Sequence, residues 1–243
     1  MKKNLTSFPL KIIAIVAMTL NHIGQAFHLG DYSEVLFFGT EFIGKLTFPI
    51  MAYLLVEGAY YTRSKWKYAG RLAIFWLLSI YPFHLIHAFN SAFGPIEFVN
   101  NIFFTLLMGL ILIIFYEKTT NKWIHIGLVV LFSLLTIMSD WNLIGVIIIF
   151  GFYRIKNPIV KKLIPPIYAT VFLFSLMLLI FMISPSSVPA YIVVSALGIL
   201  MVIPLLLKYN GKRGYSPTWL KWGFYAYYPL HLLAIFIVKI LFF

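Results

Sequence analysis

Apolar residues in this chain run in blocks of roughly membrane-crossing length, separated by short polar turns. In order, the blocks cover about residues 9–29, 35–60, 68–89, 99–116, 123–138, 143–153, 163–183, 190–207 and 222–243. A helix rises about 1.5 Å per residue, so about 20 apolar residues cross the hydrocarbon core of a bilayer. The pattern predicts an all-α, polytopic integral membrane bundle of about nine transmembrane helices, forming a single domain over residues 1–243. The sixth block is short; it reads as a tilted span or, with the fifth, as a re-entrant hairpin. No connection is long enough to bury a core of its own.

The turns sort by charge. TRSKWK (62–67), EKTTNK (117–122), RIKNPIVKK (154–162) and KYNGKR (208–213) all carry Lys or Arg. GDYSE (30–34), SAFGPIE (91–97), SDWN (139–142) and SPSSVP (184–189) carry neither. Cytoplasmic loops of membrane proteins are enriched in Lys and Arg, so the alternation predicts an N-terminus on the cytosolic side of the plasma (inner) membrane. The start, MKKNLTSFPL, resembles the charged region of a signal peptide, but His22, Gln25 and His28 follow where small residues would mark a cleavage site. The first span is therefore expected to be retained.

Composition narrows the function. With 62% hydrophobic and 11% charged residues, the chain is unlike a soluble domain. Its net charge of +12 falls mostly in the turns, which points to topology and anionic lipid contact, not to nucleic acid. The absence of cysteine excludes disulfides, thiol nucleophiles and cysteine metal sites. Scattered histidines predict no metal. The lack of a glycine-rich phosphate loop disfavours a nucleoside triphosphatase, and the lack of an internal repeat disfavours repeat-built transporters.

Polar residues inside the blocks are the candidates for chemistry. Lys11 and His22 are eleven residues apart, close to three helical turns, so they share one face about 16 Å apart. Lys11 sits near the cytosolic end and His22 near mid-depth, beside Asn21. Lys45 and Thr47 are also near mid-depth, with Glu41 one turn outward of Lys45 and placed to pair with it. His231 follows Tyr227-Tyr228-Pro229 in the last block and reads equally as a packed histidine. Lys11, Glu57, Arg63 and Arg71 form an inner layer in which Glu57 and Arg71 are candidates to tie the second and third spans. His84 and His87, near the outer end of the third block, read as ordinary interface histidines. A mid-membrane imidazole suits acid–base work, and a cationic inner layer suits a phosphorylated cytosolic ligand. Together they fit group transfer from such a carrier, and equally proton-coupled transport.

LKIIAIVAMTLNHIG, FIGKLTFPIMAYLLVEGAYYTRSKWKYAGRL, NIFFTLLMGL and FYAYYPLHLL, in this order, resemble the blocks of the TraX family. That family is linked to N-terminal acetylation of a conjugative pilin and is grouped with transmembrane acyltransferases, including acyltransferase family three. Those enzymes carry a basic residue, ten intervening residues and then a first-span histidine, a spacing that Lys11 and His22 match. The resemblance implies acetyl-coenzyme A (acetyl-CoA) as donor and His22 as the central residue. It also implies a membrane acetyltransferase whose acceptor is a protein amino terminus, such as a pilin-like protein, or an envelope glycan or lipid. In that reading His22, Asn21 and Lys45 serve catalysis, with Lys45 as oxyanion partner. Lys11, Arg63 and Arg71 engage the donor's phosphates, and Glu41, Glu57, Tyr228 and His231 support them. Two departures stand out: Asn21 where the family often has Asp, and Lys45 where it often has Arg. The rival readings are a proton-coupled transporter or lipid-linked-sugar flippase using His22, Glu41 and Lys45, and a non-catalytic membrane assembly partner.

Overall fold

The computed structural model describes residues 4–186 and 188–242. The charged start MKK and Ser187 of the SPSSVP turn lie outside the described residues. The chain is all-helical, as its pattern predicts. Six stretches are long and apolar enough to cross a membrane: Ser7–Ala26, Glu34–Tyr61, Lys65–His87, Val160–Ile183, Ala190–Lys208 and Thr218–Phe242. Three shorter apolar helices, Ile102–Tyr116, Lys122–Leu135 and Asn142–Arg154, occupy the places of the fourth to sixth blocks. The protein is a multi-pass membrane protein.

Two compact units divide the chain. The first comprises Met1–Met51, Asn157–Ser216 and Ile237–Phe243, and the second Ala52–Lys156 and Pro217–Phe236. In the first unit α1 (Ser7–Ala26) packs on α3 (Glu34–Gly44), joined by the single turn α2 (Leu29–Tyr32). Ser33 caps α3 by accepting from the Leu36 N–H at 3.3 Å.

Within the second block the helix is interrupted. α3 stops at Gly44, and α4 (Thr47–Tyr61) starts afresh after a turn at Lys45 and Leu46. Pro49 accounts for the break: its ring would collide with the carbonyl four residues back, which belongs to Lys45. The chain tightens instead, with Leu46 N–H donating to the Ile43 carbonyl at 3.0 Å.

The rest of the first unit is α9 (Val160–Ile183), α10 (Ala190–Ser195), a 3-10 segment at Ala196–Met201 and α11 (Val202–Lys208). α10 and the 3-10 segment pack on both α3 and α9. The KYNGKR loop folds back on the chain's start: Leu5 N–H donates to Lys208 O at 3.1 Å, and Asn210 N–H to Leu5 O at 2.9 Å. Lys162 departs from its reading as a loop topology signal. It is buried, and its Nζ donates to the Tyr209 carbonyl at 3.3 Å.

The second unit is organised on α6 (Ile102–Tyr116), which packs against α5 (Lys65–His87), α7 (Lys122–Leu135) and α8 (Asn142–Arg154). α6 is apolar all round and buried along nearly its whole length, as such a helix must be at the centre of a bundle. Asn101 caps it, accepting from Phe103 N–H at 3.1 Å and Phe104 N–H at 3.3 Å. Leu112, Phe132 and Val146 form a shared core of α6, α7 and α8. The unit also holds most of α12 (Thr218–Phe242). At the expected cytosolic ends Lys65 Nζ donates to Glu117 at 2.6 Å, Tyr153 donates to the same carboxylate at 3.0 Å, and Tyr60 donates to the Tyr153 carbonyl at 2.8 Å.

Candidate functional site

In the first unit, α1 and α3 meet through a buried carboxylate. Asn21 and Gln25 are one turn apart on α1, so both side chains face α3. Asn21 Nδ2 donates to Glu41 Oε1 at 2.7 Å, and Gln25 Nε2 donates to the same oxygen at 2.9 Å. The other oxygen, Oε2, takes Lys45 Nζ at 3.2 Å. Glu41 is only 6% exposed, so its charge depends on these three donors. They occupy both of its oxygens. The pair with Lys45 is at i, i+4, and Lys45 stands at the break between α3 and α4.

Small residues permit the approach. A β-carbon at Gly44 would stand 2.6 Å from Asn21 Cβ. One at Gly198, in the 3-10 segment, would collide with the Phe42 carbonyl oxygen and lie 3.3 Å from Lys45 Cβ. Thr47 Oγ1, at the start of α4, donates to the Ala14 carbonyl of α1 at 3.3 Å and is buried.

His22 lies one residue past Asn21 and is 6% exposed, on the α1 face that also buries Ala14 and Met18. Lys11 is on the same helix and partly buried. The amide nitrogen of Asn21, the residue before His22, is used on Glu41. Gln25 was not singled out from sequence; its i, i+4 relation to Asn21 was the available signal.

The remaining candidates belong to the second unit. Arg63 is exposed in the short connection before α5. Arg71 lies over the Tyr68 ring, 5.4 Å from its centre, and is hydrogen-bonded to the Tyr225 side chain. Tyr225 in turn stacks on Phe75 at 5.3 Å. Glu57 is partly buried on α4. Tyr228 is buried edge-on to Phe103 at 5.2 Å. His231 is buried, with Nδ1 2.9 Å from the Tyr227 carbonyl and its ring stacked on Tyr227. Among the described residues no group of three His, Asp or Glu side chains is placed to hold a metal.

Sequence reasoning passed over one pair. His84 is buried, not an ordinary interface histidine, and its Nδ1 stands 3.1 Å from Oε1 of Glu97, itself 3% exposed. The SAFGPIE segment is partly a 3-10 turn, Pro95–Phe98, which carries that carboxylate inward. A lone acid following helix-end histidines was the signal.

The fold and these buried polar groups define a multi-pass helical membrane protein with ionisable residues built into its spans. The TraX protein family matches residues 8–239, so the chain belongs to the TraX family, which is known for pilin N-acetylation. A probable fimbrial assembly protein, FimC of serogroup H1 from Dichelobacter nodosus, is 29% identical over 248 residues, covering 93% of each chain. No solved structure matches the chain.

Proposed function

We propose that this protein is a membrane acetyltransferase of the plasma (inner) membrane that moves an acetyl group from cytosolic acetyl-CoA to the amino terminus of a pilin-like protein. The observation that carries the reading is family membership over nearly the whole chain, together with a buried first-span histidine and, in the same unit, a lysine paired with Glu41. The name of the Dichelobacter relative supports a fimbrial acceptor. The reading treats residues 1–243 as one acyltransferase-like domain. A glycan or lipid hydroxyl is the alternative acceptor.

Acetyl-CoA supplies an activated acetyl thioester and a set of phosphates. For the phosphates this chain offers Lys11, Arg63 and Arg71. Arg63 is exposed in a connection and is suited to the task. Arg71 has part of its guanidinium engaged by Tyr68 and Tyr225, so it contributes as an oriented charge. His22 removes the proton from the acceptor amine as its nitrogen attacks the acetyl carbon. A C–N bond forms, the C–S bond breaks, and the leaving thiolate takes the proton back from His22 and departs as the thiol. Lys45, positioned by its contact with Glu41, stabilises the oxyanion. Asn21 acts through Glu41, and Glu57, Tyr228 and His231 keep a supporting part within the second unit.

The test is purified protein with labelled acetyl-CoA, following thiol release and label transfer. His22→Ala is expected to abolish both while the protein elutes and melts as wild type does. Acetyl transfer at the wild-type rate in that variant overturns the assignment. Proton-dependent uptake without thiol release selects a transporter, and neither activity selects a non-catalytic assembly partner.

A further inference from the structure

The strongest unassigned chemistry lies in the second unit, at the C-terminal end of α5. His84 Nδ1 faces Glu97 Oε1 at 3.1 Å, and both residues are at least nine-tenths buried. Asn100 Nδ2 donates to the other carboxylate oxygen at 2.7 Å, which fixes the carboxylate from behind. The Trp76 indole N–H donates to the Phe98 carbonyl at 2.6 Å and clamps the turn that carries Glu97. A buried carboxylate beside one ring nitrogen leaves the other nitrogen to act. Among the described residues Nε2 makes no hydrogen bond, and it is not among the enclosed atoms, whereas Nδ1 is.

We propose that His84 and Glu97 form a second acid–base centre, distinct from His22, in which His84 Nε2 accepts a proton from a hydroxyl or amine group. The step balances simply. The ligand's O–H or N–H gives its proton to Nε2, and the resulting imidazolium is stabilised by the Glu97 carboxylate at Nδ1. The proton returns when the ligand leaves or passes to water. The 3.1 Å contact is off the aligned hydrogen-bond direction, and such contacts tighten when a ligand fills the site. Two partly exposed rings flank the imidazole: Phe93 edge-on at 5.2 Å and Tyr81 stacked at 6.4 Å. They give the approach a flat, apolar wall, which suits a ligand with a polar head on an apolar or ring-shaped body. The groups around the pair are His87 on α5, Asn101 at the α6 cap and Asp140, whose N–H donates to the Asn100 carbonyl. Asn101 is fully buried, and its Nδ2 has no hydrogen-bond partner among the described residues.

A bland ion pair that merely pins the 88–101 connection makes the opposite prediction, so one measurement separates the two. The intact protein in detergent is treated with diethyl pyrocarbonate, an electrophile for neutral imidazole nitrogen, and the His84 peptide is followed by mass spectrometry. We expect His84 to be modified faster than His87, and Glu97→Gln to slow that modification about tenfold, because the carboxylate holds the ring proton on Nδ1 and leaves the Nε2 lone pair to react. Glu97→Asp should restore part of the rate. If His84 resists modification in the wild type, or reacts faster in Glu97→Gln, the pair is structural and the proposal fails. Should Glu97→Gln fail to fold, Asn100→Ala serves in its place and is expected to slow modification without abolishing it. An unchanged rate there also counts against the proposal. None of these outcomes depends on acetyl transfer, so the reading of His22 stands or falls separately.

Discussion

Asn21→Asp isolates the electrostatics of the first unit. The substitution keeps the shape of the side chain and replaces the amide nitrogen, now 2.7 Å from Glu41 Oε1, by a carboxylate oxygen. Two ionised carboxylates at that distance repel by about 6 kcal/mol at an effective dielectric constant of about 20. The site avoids this by sharing one proton, which also restores a hydrogen bond between the two groups. Holding a proton on a carboxyl group costs about 1.4 kcal/mol for each pH unit above its ordinary value of about 4. The variant is therefore less stable than wild type by about 4 kcal/mol at pH 7 and by about 1.4 kcal/mol at pH 5. The sign follows from proton counting. The folded variant binds one more proton than its unfolded chain, so its stability falls as pH rises.

The assay is the apparent melting midpoint in one detergent at pH 5 and pH 7. At roughly 2–4 °C per kcal/mol the deficit at pH 7 amounts to about 10 °C, shrinking to a few degrees at pH 5. The exchanged pair Asn21→Asp/Glu41→Gln has one carboxylate and one amide again, and it is expected to recover most of the loss at pH 7. A single variant that melts like wild type at both pH values would refute the reasoning. A double variant no better than the single would do the same, because it would show that the shared carboxylate is not what joins the two helices.

Two further predictions concern packing and capping. Gly198→Ala places a methyl group on the Phe42 carbonyl oxygen and should cost about 1–3 kcal/mol, read as a lowered melting midpoint. Asn101→Ala removes the acceptor for two α6 N–H groups and should cost about 1 kcal/mol by the same measurement.

Spans and turns were legible because apolar length and loop charge act locally. The nine blocks and the nine apolar stretches agree to within a few residues at most ends. The break at Lys45 was legible in principle, since Pro49 stands four residues beyond it, but the unbroken hydrophobicity of the block masked it. The Glu41–Lys45 pair came from helical spacing. What spacing could not supply was which helix lies opposite. Asn21 and Gln25 meet Glu41 only because α1 and α3 pack face to face. His84 meets Glu97 only because the connection after α5 doubles back. Lys162 illustrates the same limit: its charge read as a loop signal, while its stem and ammonium are drawn inward to a backbone carbonyl.

The interruption between α3 and α4 also explains a neighbour. Pro49 has no N–H to return to the Lys45 carbonyl, so that oxygen loses the donor an unbroken helix would give it. Facing lipid, such a group would cost several kcal/mol. The 3-10 segment Ala196–Met201 covers this turn, and it comes close enough because residue 198 is glycine. That segment thus works as insulation: it keeps hydrocarbon away from a stretch of backbone that is polar in mid-span, and so lets a lysine be carried there at all.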